Sequence, residues 1–161
     1  MNMFLRVVAG ISSWMYSLAG TILVLMMLLT AVDVILRLFG RPITGTYELI
    51  SLAGAVVVAL SVPQTTRNKA NVAIDFLVTD CSKGVRNGLF VFTKILGMIL
   101  FMLIAWYLFE KATVFYKDGF VTSTLQFPFY PVTYTLALCC FIESAVLLAE
   151  IYRNVLIEAE P

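Results

Sequence analysis

The apolar residues of this 161-residue chain are collected into long runs, not spread in the half-buried pattern of a water-soluble domain. Four runs reach the roughly 20 residues that an α-helix needs to cross the hydrocarbon core of a bilayer. The predicted spans cover about residues 12–38, 47–66, 89–109 and 128–152. The pattern therefore predicts an all-α membrane protein, with four transmembrane helices in a single domain.

The first run shares one property with a signal peptide, because Arg6 supplies a basic segment ahead of it. Its apolar block is long, however, no A-x-A cleavage site follows, and Asp33 and Arg37 close it, so we expect a retained helix. Pro128 suits the first turn of the fourth span.

Two connections are too long to be simple turns. Residues 71–86 place apolar side chains on one helical face and polar ones away from it, which predicts a short amphipathic helix lying in the membrane interface. A solvated cytoplasmic loop is the alternative. Residues 110–127 carry several aromatic side chains, and long connections commonly carry function or a docking surface.

The basic residues favour an orientation with both termini in the cytoplasm, because cytoplasmic loops carry an excess of Lys and Arg. An even number of spans places both termini on one side. With the termini inside, the cytoplasmic side receives Arg6, Arg67, Lys69, Lys83, Arg86 and Arg153. The opposite side receives Arg37, Arg41, Lys111 and Lys117.

Composition narrows the function classes. The chain is 61% hydrophobic with a net charge of +1 and has no dense basic stretch, so nucleic acid is not an expected partner. The three cysteines are odd in number and give no disulfide framework. The sequence contains no histidine, which excludes His-ligated haem and His-bearing metal sites. No nucleotide-binding motif or activated nucleophile is found either, so we expect no catalytic residue, cofactor or metal.

Ionisable residues inside the spans are functional candidates, and pairing with one another is the alternative. Asp33 and Arg37 are four residues apart and share a helix face, and Glu48 opens the next helix on the same side. We expect these three side chains to hold the first hairpin together. Lys94 and Glu143 both fall in the cytoplasmic half, and we expect them to interact unless Lys94 extends toward lipid headgroups.

Small residues at four-residue spacing allow close helix approach. Such stripes are formed by Ser51, Ala55 and Ala59 and by Ser13, Ser17 and Thr21. They serve either packing within this chain or docking onto another membrane subunit.

Three short motifs together resemble the small membrane subunit of TRAP transporters, the tripartite ATP-independent periplasmic carriers, in the DctQ-like family. The first motif comprises Asp33, Arg37, Pro42 and Glu48. The second runs from Arg67 to Phe76, with Asp75 in place and Asn71 where the family usually has histidine. The third comprises Thr124, Leu125 and Pro128. No role of the family histidine can be transferred to Asn71.

The resemblance implies a scaffold subunit in a bacterial inner membrane. A large membrane subunit would carry the sodium and substrate sites and move as an elevator, and a periplasmic binding protein would deliver organic acids, either carboxylates or sulfonates. The aromatic outer connection would be available to that delivery protein, and the spans would contact membrane lipids. Two alternatives are a membrane anchor of a respiratory complex, which the missing histidine disfavours, and an autonomous small exporter coupled through Glu143.

Overall fold

The computed structural model describes residues 3–68 and 83–158. This part of the chain forms α-helices at Met3–Leu38 (α1), Thr46–Arg67 (α2), Lys83–Asp118 (α3) and Tyr130–Glu158 (α4). Each of these four helices is long and apolar enough to cross a membrane. The predicted fold class, a membrane protein with four transmembrane helices, is confirmed.

Two of the helices extend well beyond the predicted spans. Helices α1 and α3 each contain 36 residues. At 1.5 Å per residue each is about 54 Å long, against a hydrocarbon core of roughly 30 Å. Gly40 and Gly119, just beyond their C-terminal ends, adopt left-handed backbone angles, with φ of 72° and 64°. Because only glycine adopts this conformation without strain, these two positions stop the helices.

The interfacial helix predicted over residues 71–86 lies outside the described residues, except for its last four positions, which belong to α3. Asn71 and Asp75 lie outside them as well.

Helix α4 is the centre of the structure. It packs extensively on α3 and α2 and to a smaller extent on α1, whereas α3 makes extensive contacts with α4 and with no other of the four described helices. In the most apolar stretch of α4, 44% of the residues are buried, compared with 6% in α3. The helices therefore form an α1–α2 hairpin and an α3–α4 hairpin that meet mainly through α2 and α4.

Small side chains allow the close contacts within and between the hairpins. A Cβ atom on Gly97 of α3 would lie 3.5 Å from the side chain of Leu147 on α4. On the other side of α4, the described core brings three helices together in a cluster of Met15, Ala19, Leu60 and Cys139. This cluster fixes α4 against the first hairpin by apolar packing.

Candidate functional site

Asp33 and Arg37 form an ion pair on α1, with Arg37 Nη2 donating to Asp33 Oδ2 at 2.7 Å. The four-residue spacing places both on one helix face, and the carboxylate is buried while half of the guanidinium side chain stays exposed. The second carboxylate oxygen accepts a hydrogen bond from the backbone N–H of Ile43 at 2.9 Å. Asp33 thus fixes the connection to α2 as well as the arginine.

Arg37 also reaches the first turn of α2. Its Nη1 donates a hydrogen bond to the hydroxyl of Tyr47 at 3.0 Å, and the guanidinium carbon lies 5.5 Å from the centre of the Tyr47 ring. The first hairpin is therefore held by Asp33, Arg37 and Tyr47.

Glu48 is not the third member of this group, contrary to the sequence-based expectation. Its two carboxylate oxygens accept hydrogen bonds from the backbone N–H groups of Thr124 and Leu125, at 2.9 and 3.1 Å. We call this contact the outer tie, after the orientation that the basic residues predict. The guanidinium of Arg37 donates its hydrogen bonds to Asp33 and Tyr47. Glu48 bonds instead to the connection between α3 and α4. The acid therefore joins the two hairpins to each other.

The residues at 119–129, which we call the outer loop, are folded into a defined shape. The backbone N–H of Thr122 donates to the carbonyl of Phe127 at 2.9 Å, and the Thr122 hydroxyl accepts from the N–H of Phe127 at 3.0 Å. Gln126 takes a left-handed conformation with φ of 51°, and Pro128 pairs with Val121 in an isolated β-bridge. Pro128 thus belongs to the loop.

Pro131, not Pro128, occupies the first turn of α4, because the helix begins at Tyr130.

The outer loop packs closely against the start of α2. A Cβ atom on Gly45 would lie between 2.5 and 3.0 Å from three carbon atoms of the Leu125 side chain, closer than real contacts allow. Gly45 also has a φ of 85°, a conformation that favours glycine. Glycine is required here both for the backbone angle and for the space that Leu125 fills.

At the opposite end of the molecule, Lys94 forms an ion pair with Glu150, at 2.5 Å between Nζ and Oε2. We call this contact the inner ion pair. The sequence predicted Glu143 as the partner of Lys94. Glu143 lies near enough to Lys94 for an electrostatic interaction, but its Oε1 accepts a hydrogen bond from the hydroxyl of Thr66 at 2.7 Å. We call the contact between Thr66 and Glu143 the inner tie.

Both acids at this end are buried, with Glu143 2% and Glu150 6% exposed. The inner ion pair joins α3 to α4, and the inner tie joins α2 to α4. These side chains therefore fix the three helices relative to one another.

The small-residue stripe on α2 divides between two environments. Ala59 packs against the core cluster, whereas Ser51 and Ala55 are exposed. On α1, the stripe of Ser13, Ser17 and Thr21 is exposed along its whole length.

Four residues of these contacts, Thr66, Thr124, Leu125 and Glu150, were missed as tie residues by sequence reasoning. For Glu150 the sequence held half of a signal, because it follows Tyr130 by 20 positions and Lys94 precedes Tyr116 by 22. The other half is structural: the Tyr116 and Tyr130 rings touch with centroids 5.4 Å apart, so these nearly equal lengths of helix bring Lys94 close to the level of Glu150. Leu125 gives no comparable signal, because its N–H and side chain are placed by the loop conformation.

The arrangement offers hydrogen-bonding and ionic contacts between helices. Within residues 3–68 and 83–158, no three or more of the residues His, Cys, Asp and Glu come together as a metal site.

A family model for the DctQ component of tripartite ATP-independent periplasmic transporters matches residues 26–156 of the 161-residue chain. The chain belongs to this DctQ family. The matched region contains α2 and α3 whole, together with every residue of the outer tie, the inner tie and the inner ion pair. Comparisons with curated proteins and with solved structures gave no match. As a DctQ-family member, the protein is a small membrane component of a TRAP transporter.

Proposed function

We propose that this DctQ-family protein is a non-catalytic scaffold in a sodium-coupled TRAP transporter that imports organic acids, either carboxylates or sulfonates. The large membrane subunit would bind sodium and substrate, and this chain would support its elevator movement and contribute to docking of the periplasmic binding protein. The observation that carries the proposal is the use of three glutamates on the helices: Glu48, Glu143 and Glu150 all join one helix or hairpin to another.

A rigid support is what such contacts provide. Buried ionic and hydrogen-bonded groups are costly to break inside a membrane protein, so they resist relative movement of the helices. The exposed small residues Ser51 and Ala55 on α2, and the stripe on α1, offer surfaces where helices of a large subunit can approach closely.

The proposed setting is the inner membrane of a bacterium with both termini in the cytoplasm. The greater number of basic residues on the side of the termini supports this orientation. The outer tie and the contact of Gly45 with Leu125 bring the connections 39–45 and 119–129 together at one end, which would face the periplasm.

Reconstitution of the transporter in proteoliposomes tests this proposal. The large subunit, the delivery protein and a sodium gradient are supplied with or without this chain, and uptake of radiolabelled organic acids is measured. Uptake is expected only when the chain is present, and purification through a tag on the large subunit should retain the chain.

Flux through liposomes that contain this chain alone would contradict the scaffold role. If the Glu143→Gln variant then abolished that flux, the exporter alternative would hold. Full uptake by the large subunit and the delivery protein without this chain would also overturn the proposal.

A further inference from the structure

The outer loop has an unusual surface for a segment outside the transmembrane helices. Residues 119–129 contain no charged side chain. Its larger apolar side chains are also partly exposed, at 53% for Phe120, 46% for Val121, 40% for Leu125 and 41% for Phe127. Such a concentration of exposed apolar groups calls for a non-aqueous neighbour.

The backbone of the loop is adapted to the same environment. Phe120 N–H donates to the carbonyl of Phe115, Phe129 N–H to that of Phe120, and Gln126 N–H to that of Thr122, at 3.1 to 3.2 Å. In the outer tie, the Glu48 carboxylate accepts hydrogen bonds from two further N–H groups of the loop. Non-helical backbone can lie near the hydrocarbon only when protein groups satisfy its hydrogen bonds, as they do for these residues.

The level of the loop along the helices agrees. The apolar span of α3 ends at Asp118 and that of α4 begins at Tyr130, so the loop lies where both spans reach one membrane boundary. The Phe120 ring is 5.4 Å from that of Phe115, next to Tyr116 in sequence, so the loop folds back to this boundary.

We propose that the outer loop binds the lipid bilayer itself, with Phe120, Val121 and Phe127 inserted at the junction of headgroups and acyl chains in the adjacent leaflet. Aromatic and apolar side chains without charge are suited to this layer. The delivery protein is the competing occupant. The charged groups that suit a soluble partner lie instead on neighbouring segments, at Arg41 and at Lys117 and Asp118.

The proposal concerns lipid contact and does not depend on the transport role. It is tested with tryptophan as a depth probe in lipid nanodiscs that hold the full chain. Trp14 and Trp106 are replaced by phenylalanine, and Phe120→Trp supplies the only reporter. Quenching is measured with lipids brominated near the headgroup or near the chain end, and with aqueous iodide. Phe127→Trp is the second reporter if the first variant does not fold.

We expect bromines near the headgroup to quench the reporter several-fold more than bromines at the chain end, and iodide to quench it far less than free N-acetyltryptophanamide. The matched control keeps only Trp106, which is 76% exposed and lies 10 residues from Tyr116, about 15 Å deeper. That control should show the opposite preference between the two lipids.

Three outcomes would overturn the proposal. Strong iodide quenching without lipid quenching would place the loop in water. Iodide quenching that disappears when the delivery protein is added would assign the loop to that protein. Lipid quenching that disappears when the large subunit is present would assign it to the interface with that subunit.

Discussion

The outer tie and the inner tie both join the α1–α2 hairpin to the α3–α4 hairpin through a glutamate, yet they work differently. Glu48 uses both carboxylate oxygens on backbone N–H groups of a loop. Glu143 uses one oxygen on the hydroxyl of Thr66, and its Oε2 is buried without a hydrogen-bond partner among the described residues. The first contact holds a loop in one conformation, and the second connects two rigid helices.

The surroundings of the two ties differ as well. Glu48 is half-buried in the first turn of α2, where the N-terminal end of the helix favours an acid. Glu143 is fully buried and lies near the inner ion pair. Because buried charges depend strongly on their partners, the inner end should be the more sensitive of the two to loss of one group.

The largest effect is expected for Lys94→Met. This change removes the ammonium group from the buried carboxylate of Glu150, and breaking a buried ion pair costs about 3 to 5 kcal/mol. The free energy of unfolding of the purified protein in detergent micelles, followed by circular dichroism during denaturant titration, measures the loss.

Lys111→Met is the matched control, because Lys111 is an exposed lysine on the same helix whose Nζ lies 5.7 Å from the centre of the Tyr107 ring. It should leave stability nearly unchanged. Equal losses for the two variants would show that the inner ion pair is not a special contact.

The next effect, at the outer end, is expected for Gly45→Ala. A left-handed alanine costs about 1 to 2 kcal/mol, and forcing the methyl group against Leu125 adds about 1 to 3 kcal/mol. The same unfolding titration should show the combined loss. Addition of Leu125→Ala should restore part of it by making room.

Gly40→Ala separates the two causes. Gly40 has a similar φ of 72°, but a Cβ atom there would meet nothing within 4 Å. This control should show the backbone cost alone, and a loss as large as that of Gly45→Ala would refute the close contact between Gly45 and the outer loop.

The smallest effect is expected for Thr66→Val, which keeps the shape of the side chain and removes the hydroxyl that donates to Glu143. Leaving a buried hydrogen-bond acceptor unsatisfied costs about 1 to 3 kcal/mol, and we expect the low end because valine packs well. The measurement is again the free energy of unfolding.

Thr65→Val is the neighbouring control, since the Thr65 hydroxyl donates to the Ser61 carbonyl within its own helix. It should change stability by less than about 0.5 kcal/mol. If both valine variants behaved alike, the inner tie would contribute nothing to joining the hairpins.

Contacts set by regular helix geometry were accessible from the sequence, and those set by the loop were not. Hydropathy identified the four helices, and four-residue spacing identified the pair of Asp33 and Arg37. Glu48 was assigned to the wrong partner because its carboxylate oxygens accept hydrogen bonds from backbone N–H groups. Every residue except proline carries such a group, so the sequence does not single out the donors.

The partner of Lys94 was wrong for a different reason. The prediction measured depth from estimated span ends, and a shift of two turns along α4 separates Glu143 from Glu150. When positions along α3 and α4 are counted from the contact between Tyr116 and Tyr130, Glu150 is the acid closest to the level of Lys94. A single known contact between two helices would therefore have fixed the register that hydropathy leaves loose.

The packing of α3 on α4 alone has a consequence for synthesis of the chain. When α3 enters the membrane, the α1–α2 hairpin is already made, yet the described residues of that hairpin make no extensive contact with α3. Only the emergence of α4 gives α3 its partner and connects both hairpins. In nascent chains that stop before Tyr130, the α1–α2 hairpin and α3 should therefore lie in the membrane without packing on each other. Cellular quality control would recognise such chains as unassembled.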